Sequence, residues 1–191
     1  MAQETVPASP PHVLSLFDHT VQVVANYDYL LQHLHPNEVI TEHDPWWWKQ
    51  VSSDLKCFSG EISLFFTESV TPGRTKRALA LLGALLHDLG KPQTMKVSEA
   101  GHLQFHNHDK IGADLAWETA KRLQLSNAES EWVRLMVRHH MRLLSFLKAD
   151  SLPCRRSVYR FFSDVDEVGV PITVLFLADT LAIYGETLPP D

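Results

Sequence analysis

The chain has 191 residues, 45% of them hydrophobic and 21% charged, which is typical of a soluble globular domain and excludes a disordered or fibrous class. Its formal net charge of −6 argues against nonspecific nucleic-acid binding through overall charge. Two separate cysteines and an N-terminus without a basic, apolar leader predict a reducing, cytoplasmic location. The apolar runs are too short to span a bilayer, so we expect no membrane partner.

The first part of the chain divides into a polar segment and a helix. Residues 1–12 are polar and proline-rich, so we expect a flexible N-terminal segment, followed by one domain over 13–191. Within 13–34, apolar residues and His19 recur at steps of three and four. This spacing predicts an amphipathic helix with His19 on its apolar face.

Two helices are predicted next. Asp44-Pro45 is a typical helix start, and a run of three tryptophans follows at 46–48. Aromatic side chains can stack on nucleobases, but consecutive helical residues cover all sides, so we expect core packing plus a partner surface here. Residues 74–88 then predict a strongly apolar helix that stops at Gly90.

The second half continues the helical pattern. The segment from 93 to 109 is rich in turn residues and weakly favours a small β-hairpin. Ser126-Asn127 is a typical N-terminal cap, followed by acids in the first turn. Further helices are predicted over 109–124, 127–143, 155–163 and 167–184. These elements predict an all-α fold, a compact single-domain helical bundle.

The dipeptide His87-Asp88, at the end of the apolar helix, is the centre of a predicted metal site. A buried carboxylate beside a buried imidazole is costly unless a positive group compensates it, and a divalent cation is the simplest candidate. Other ligand-capable residues lie in apolar helical contexts along the chain: His19, His108, His139, His140 and Asp179. Different helices would deliver them to one place, and Asp88 is the carboxylate we expect to bridge two ions.

The mixture of imidazoles and carboxylates predicts one or two divalent transition-metal ions. Mn²⁺, Fe²⁺, Co²⁺, Ni²⁺ and Zn²⁺ suit such ligands, and Mg²⁺ is an alternative where water fills most positions. A structural zinc site is disfavoured because the sequence has no cysteine cluster. Such a centre activates water and neutralises phosphate, so the chemistry it indicates is phosphoester hydrolysis.

The order His19, His87-Asp88, Asp179 resembles the HD superfamily of metal-dependent phosphohydrolases. More narrowly, four segments are similar to the HD region of bacterial CCA-adding and poly(A) polymerase-like tRNA nucleotidyltransferases: FDHTVQVV, GRTKRALALLGALLHDLGKPQT, FHNHDKIGADLA and VRLMVRHHMR. The resemblance covers most of residues 13–184. Those polymerases also carry a nucleotidyltransferase domain with a Gly-Ser turn and paired aspartates, which this sequence lacks. We therefore expect this chain alone not to add nucleotides, whether it is free-standing or a piece of a longer protein.

The resemblance also implies roles for individual residues. His19, His87, Asp88 and Asp179 would hold the principal metal. His108 and His139 would complete a second position, with His140 as an alternative ligand or a supporting group. The catalytic set it implies is Asp88, Lys91, His140 and Arg142, in which Lys91 and Arg142 would contact substrate phosphate.

Two functions follow, of different classes. The favoured one is a metal-dependent phosphohydrolase, a phosphomonoesterase or phosphodiesterase, whose partner is a nucleotide or a related phosphorylated small molecule. The alternative is a non-catalytic HD-type module that binds RNA, tRNA or a partner chain. It rests on the polymerase-like resemblance and on a set of arginines at 134, 138, 142, 155, 156 and 160.

Overall fold

A computed structural model describes residues 14–147 and 152–184. The predicted all-α fold is confirmed: helices dominate, and the described strands form only two short antiparallel hairpins. The expected flexible segment at 1–12 lies outside the described residues, as do both ends of the predicted domain 13–191, so these bounds stay predictions.

Ten α-helices occur in the described part of the chain: α1 (Leu16–His33), α2 (Trp46–Leu55), α3 (Ser59–Thr67), α4 (Lys76–Leu86), α5 (Lys91–Thr94), α6 (His108–Arg122), α7 (Asn127–His139), α8 (Leu144–Leu147), α9 (Arg155–Val165) and α10 (Gly169–Tyr184). Three short 3₁₀ helices adjoin them, at Lys56–Phe58, His140–Leu143 and Asp166–Val168. The first hairpin pairs β1 (Ser69–Thr71) with β2 (Arg74–Thr75), and the second pairs β3 (Lys96–Val97) with β4 (Leu103–Gln104).

Two features differ from the sequence-based expectations. The sequence pattern predicts no element for the apolar run at 61–70, yet most of this run forms α3. The helix expected from residue 74 begins at Lys76 instead, because Arg74 and Thr75 pair with β1 and the Thr75 side chain then accepts a hydrogen bond from Ala78 N. The small hairpin favoured between 93 and 109 is present as β3 and β4.

Side-chain caps define the starts of the helices that carry the site. Ser15 accepts a hydrogen bond from Asp18 N at 3.2 Å and so begins α1. Ser126 begins α7 through a capping box: Ser126 N donates to Glu129 Oε2 at 2.8 Å, and Glu129 N donates to Ser126 Oγ at 3.2 Å. Helix α7 therefore begins at the cap that the sequence predicts.

The core lies where α1 packs against α4 and α10, and where α7 packs against α4 and α6. The buried stripe of α1 includes His19, Val23 and Leu30, which recur at helical spacing. On α6, the fully buried Ala113 and Ala116 allow a close approach of neighbouring helices. The ligand-capable His19 lies on the buried side of α1, and His108 lies on the buried side of α6.

The stretch Arg155–Tyr184 is long and apolar enough to cross a membrane by length and composition alone. Half of its most apolar window is buried inside the molecule, however, and α10 packs directly on α1. A core helix of a globular protein has these same properties, so this stretch is weak evidence for a membrane span.

Candidate metal centre

Six ligand-capable side chains from five parts of the fold meet in the interior. We call them the Asp88 cluster: His19 from α1, His87 and Asp88 directly after α4, His108 from the start of α6, His140 directly after α7, and Asp179 from α10. The first five are at most 7% exposed. Burial of so many ionisable groups requires a compensating partner, and a divalent cation supplies one.

Asp88 presents its two carboxylate oxygens to two different groups of ligands. Oδ2 lies 3.2 Å from His87 Nε2 and 3.8 Å from His19 Nε2. Oδ1 lies 3.6 Å from His108 Nε2 and 3.8 Å from His140 Nε2. Each group of three offers ligand atoms that all lie within 4.8 Å of one another, so each could hold a metal ion.

Asp179 extends the first of these groups. Its Oδ1 lies 2.9 Å from His19 Nε2, and its side chain is 23% exposed. Burial would raise the pKa of Asp179, but the His19 hydrogen bond and the charge of His87 outweigh burial and lower it. Asp179 is therefore an ionised carboxylate at the more accessible edge of the cluster.

The same kind of hydrogen bond orients the rings of three of the histidines. The Nδ1 atoms of His87, His108 and His140 each donate to a backbone carbonyl three residues earlier, at 2.7, 2.8 and 2.7 Å. This bond fixes each ring and turns its Nε2 towards Asp88. Histidines that bind metals are typically oriented in this way.

The buried atoms at the centre do not satisfy one another. Among the described residues, His87 Nε2 and Asp88 Oδ2 complete no hydrogen bond of regular geometry, although they lie 3.2 Å apart and Oδ2 forms an ion pair with the Lys91 ammonium at 2.6 Å. Buried polar atoms without such bonds are rare in native proteins. Together with the borderline imidazole and carboxylate donors, this geometry fits a divalent transition metal.

Electrostatics favour the ligating protonation states at two positions. Burial and the positive charge of His87 lower the pKa of His140 to about 4, so this imidazole is neutral at pH 7. Burial would raise the pKa of Asp88, but His87 and Lys91 outweigh it and hold that pKa well below the usual range. Burial alone would lower the pKa of His87. The negative charge of Asp88 outweighs the effect of burial, so the pKa of His87 is raised.

Lys91 lies beside the cluster, as the sequence expectation requires. Its ammonium nitrogen is 2.6 Å from Asp88 Oδ2 and 5.6 Å from the centre of the Phe105 ring, and its side chain is 13% exposed. A cation held at this position can pair with Asp88 or with an anionic ligand that reaches the cluster.

Two expected site residues lie elsewhere. His139, which was assigned to the second metal position, is only half-buried and belongs to neither group of ligands around Asp88 in the described structure. Burial and the charges of Arg142 and Arg138 lower its pKa. Arg142, assigned to substrate phosphate, pairs instead with Asp164 Oδ2 at 2.8 Å and lies over the Phe161 ring.

The sequence contained a signal that distinguishes His140 from His139. Val133, Met136 and Val137 form the fully buried stripe of α7, and His140 continues their three- and four-residue spacing. His139 falls one position off this stripe. His140 takes the position predicted for His139 because it lies on the buried side of the helical turn, whereas His139 does not.

The HD domain family model matches residues 16–182. This chain therefore belongs to the HD domain family, which is part of a superfamily of metal-dependent phosphohydrolases. The chain is also similar to two tRNA enzymes. Over 102 residues, or 53% of the chain, it is 39% identical to the A-adding tRNA nucleotidyltransferase of Deinococcus radiodurans. Over 108 residues, or 56% of the chain, it is 34% identical to the CC-adding tRNA nucleotidyltransferase of Thermus thermophilus. The matched regions span only 22% and 23% of those relatives.

Proposed function

We propose that this protein is a metal-dependent phosphohydrolase, a phosphomonoesterase or phosphodiesterase that acts on a nucleotide or a related phosphate ester in the cytoplasm. The observation that carries the proposal is the shared carboxylate of Asp88, which faces two groups of buried, oriented imidazoles. His19, His87, Asp88 and Asp179 would hold one ion. Asp88, His108 and His140 would hold a second, with His140 in the place first assigned to His139.

The proposed metal is a divalent transition ion, Mn²⁺, Fe²⁺, Co²⁺, Ni²⁺ or Zn²⁺, with Mg²⁺ less suited to this many imidazoles. When bound, such an ion activates water and neutralises the charge that develops on phosphate. Lys91 binds a phosphate oxygen beside Asp88, because its ammonium already lies at the cluster. Asp179, at the exposed edge, keeps the His19 ring in place through the 2.9 Å contact.

The test is hydrolysis by the purified protein after its metal has been identified by elemental analysis. We expect turnover of an aryl phosphate or a 2′,3′-cyclic nucleotide that a chelator abolishes and the identified metal restores. Asp88→Asn should lower kcat at least 100-fold and reduce the amount of bound metal. The reason is that both groups of ligands lose the negatively charged carboxylate that they share. Asp114→Asn, an exposed carboxylate on α6, is the matched control and should leave both values unchanged.

RNA binding is the second candidate, because both relatives are named as tRNA nucleotidyltransferases. The arginines of α7 and of the 3₁₀ helix that follows it support it weakly. Arg134 pairs with Glu131 at 2.6 Å, Arg138 pairs with Asp109, and Arg142 pairs with Asp164, which reduces the charge available to a phosphate backbone. Salt-dependent tRNA binding without turnover across the metal and substrate panel would reject the hydrolase in favour of this module.

A further inference from the structure

A groove lies between α1 and the start of α2. Its volume is about 460 Å³, within the range of pockets that bind small molecules. Trp46 and Trp47 form its aromatic side, and Gln22 and Asn26 of α1 supply amide groups. We call it the Trp46 groove.

The three consecutive tryptophans differ in their burial. Trp48 is fully buried in the core. Trp47 is partly buried and contacts the Tyr29 ring edge-on, with ring centres 5.5 Å apart. Tyr29 is in turn held by its hydroxyl, which donates to Asp44 Oδ1 at 2.9 Å. Trp46, in contrast, is 40% exposed, so its indole is an accessible aromatic surface beside these packed rings.

Two hydrogen bonds link the polar side of the groove to the residue that precedes Asp179 of the Asp88 cluster. Gln22 Nε2 donates to Asn26 Oδ1 at 2.9 Å, and Asn26 Nδ2 donates to the Ala178 carbonyl at 3.1 Å. Ala178 is followed directly by Asp179, which lies 2.9 Å from His19 Nε2. Gln22 is also three residues after His19, about 4.5 Å along the α1 axis.

We infer that the Trp46 groove binds the base of a nucleotide whose phosphate reaches the Asp88 cluster. The inference rests on the proposed function and assigns its substrate to the base-bearing phosphate esters. An exposed indole stacks on the face of any nucleobase. Gln22 carries an amide oxygen and a second N–H beyond its bond to Asn26 in the described structure, and these can hydrogen-bond a base edge.

Two ligands that differ only in the base test this inference: adenosine 5′-monophosphate and ribose 5-phosphate. Steady-state rates with each ligand separate KM from kcat. Isothermal titration calorimetry of the metal-free protein with each ligand measures affinity without turnover, by a signal that does not depend on the indole that Trp46→Ala removes. The variants are Trp46→Ala, Trp46→Phe and, as an exposed aromatic control on α9, Tyr159→Ala, which is 73% exposed in the wild type.

We expect Trp46→Ala to raise KM or Kd for the nucleotide on the order of tenfold, with kcat and all ribose 5-phosphate values within twofold. Trp46→Phe keeps an aromatic face and should retain most of the affinity, which guards against a folding defect. Tyr159→Ala should change nothing.

The outcomes for the groove and for the hydrolase are distinguishable. Equal effects of Trp46→Ala on both ligands, or none on the nucleotide, overturn the base-binding inference even if hydrolysis is intact. A tenfold loss of nucleotide affinity in the titration, with no turnover of either ligand, supports the groove and rejects the hydrolase.

Discussion

At the scale of single residues, His140 is the side chain whose role changed most between sequence and structure. It is 4% exposed, its Nδ1 is tied to the Val137 carbonyl, and its Nε2 lies 3.2 Å from His108 Nε2. The neighbouring His139 has the same chemistry but lies among arginines. Two adjacent histidines thus provide a matched pair for the second metal position.

We expect His140→Ala to weaken binding of the second metal at least tenfold, because it removes one of the three ligands that Asp88, His108 and His140 supply. His139→Ala should change metal affinity less than twofold. Elemental analysis after dialysis against defined free metal measures both. Loss of metal in His139→Ala with full retention in His140→Ala would reverse the assignment.

At the scale of secondary-structure elements, Gly90 is the point where the turn that carries His87 and Asp88 packs against α6. The sequence predicts that the apolar helix stops at Gly90, but α4 already ends at Leu86 and Gly90 has an ordinary φ of −79°. The glycine is required for space instead: a Cβ there would collide with the His108 carbonyl and lie 2.6 Å from Gly112 N. This close approach brings His108 to Asp88.

Gly90→Ala should destabilise the protein by about 2–3 kcal/mol, because the obstructing atoms belong to the backbone of α6 and cannot move independently. Gly83→Ala is the control. The three atoms nearest to its Cβ all belong to the side chain of Met136, and the gain of about 1 kcal/mol in helix propensity offsets part of the strain. Urea unfolding measures both changes. Equal stability of the two variants would contradict this role for Gly90.

Most helices were predictable because their apolar spacing and caps are local properties. Helix α3 was not, because its apolar residues do not follow one clear stripe: Phe66 is buried, Phe65 is half-buried and Leu64 is 65% exposed. The β1–β2 hairpin was also missed, since its strands contain only three and two residues. Elements this short depend on their neighbours rather than on their own pattern.

At the scale of the whole molecule, the Asp88 cluster is a common contact of α1, α6 and α10 with the ends of α4 and α7. An ion bound there would link segments that are separated by up to 160 positions, from His19 to Asp179. Because the unfolded chain has no such site, metal binding must stabilise the folded state.

Metal at about 100 times its Kd should stabilise the fold by about 2.7 kcal/mol and raise Tm by roughly 5–10 °C. Removal by a chelator should reverse the shift, and Asp88→Asn should show little or none. Differential scanning calorimetry with and without the metal found by elemental analysis measures the effect. An equal Tm with and without bound metal in the wild type would contradict a metal centre at the cluster.

The helical class, the positions of most helices and the ligand types follow from local features of the sequence. Spacing, caps and the pair His87-Asp88 are all local in the chain. Helix packing sets three further features: Asp88 divides its oxygens between two groups of imidazoles, His140 rather than His139 faces Asp88, and Arg142 pairs with Asp164. These outcomes depend on how helices distant in sequence pack and on their rotation about their own axes, which local spacing constrains but does not set.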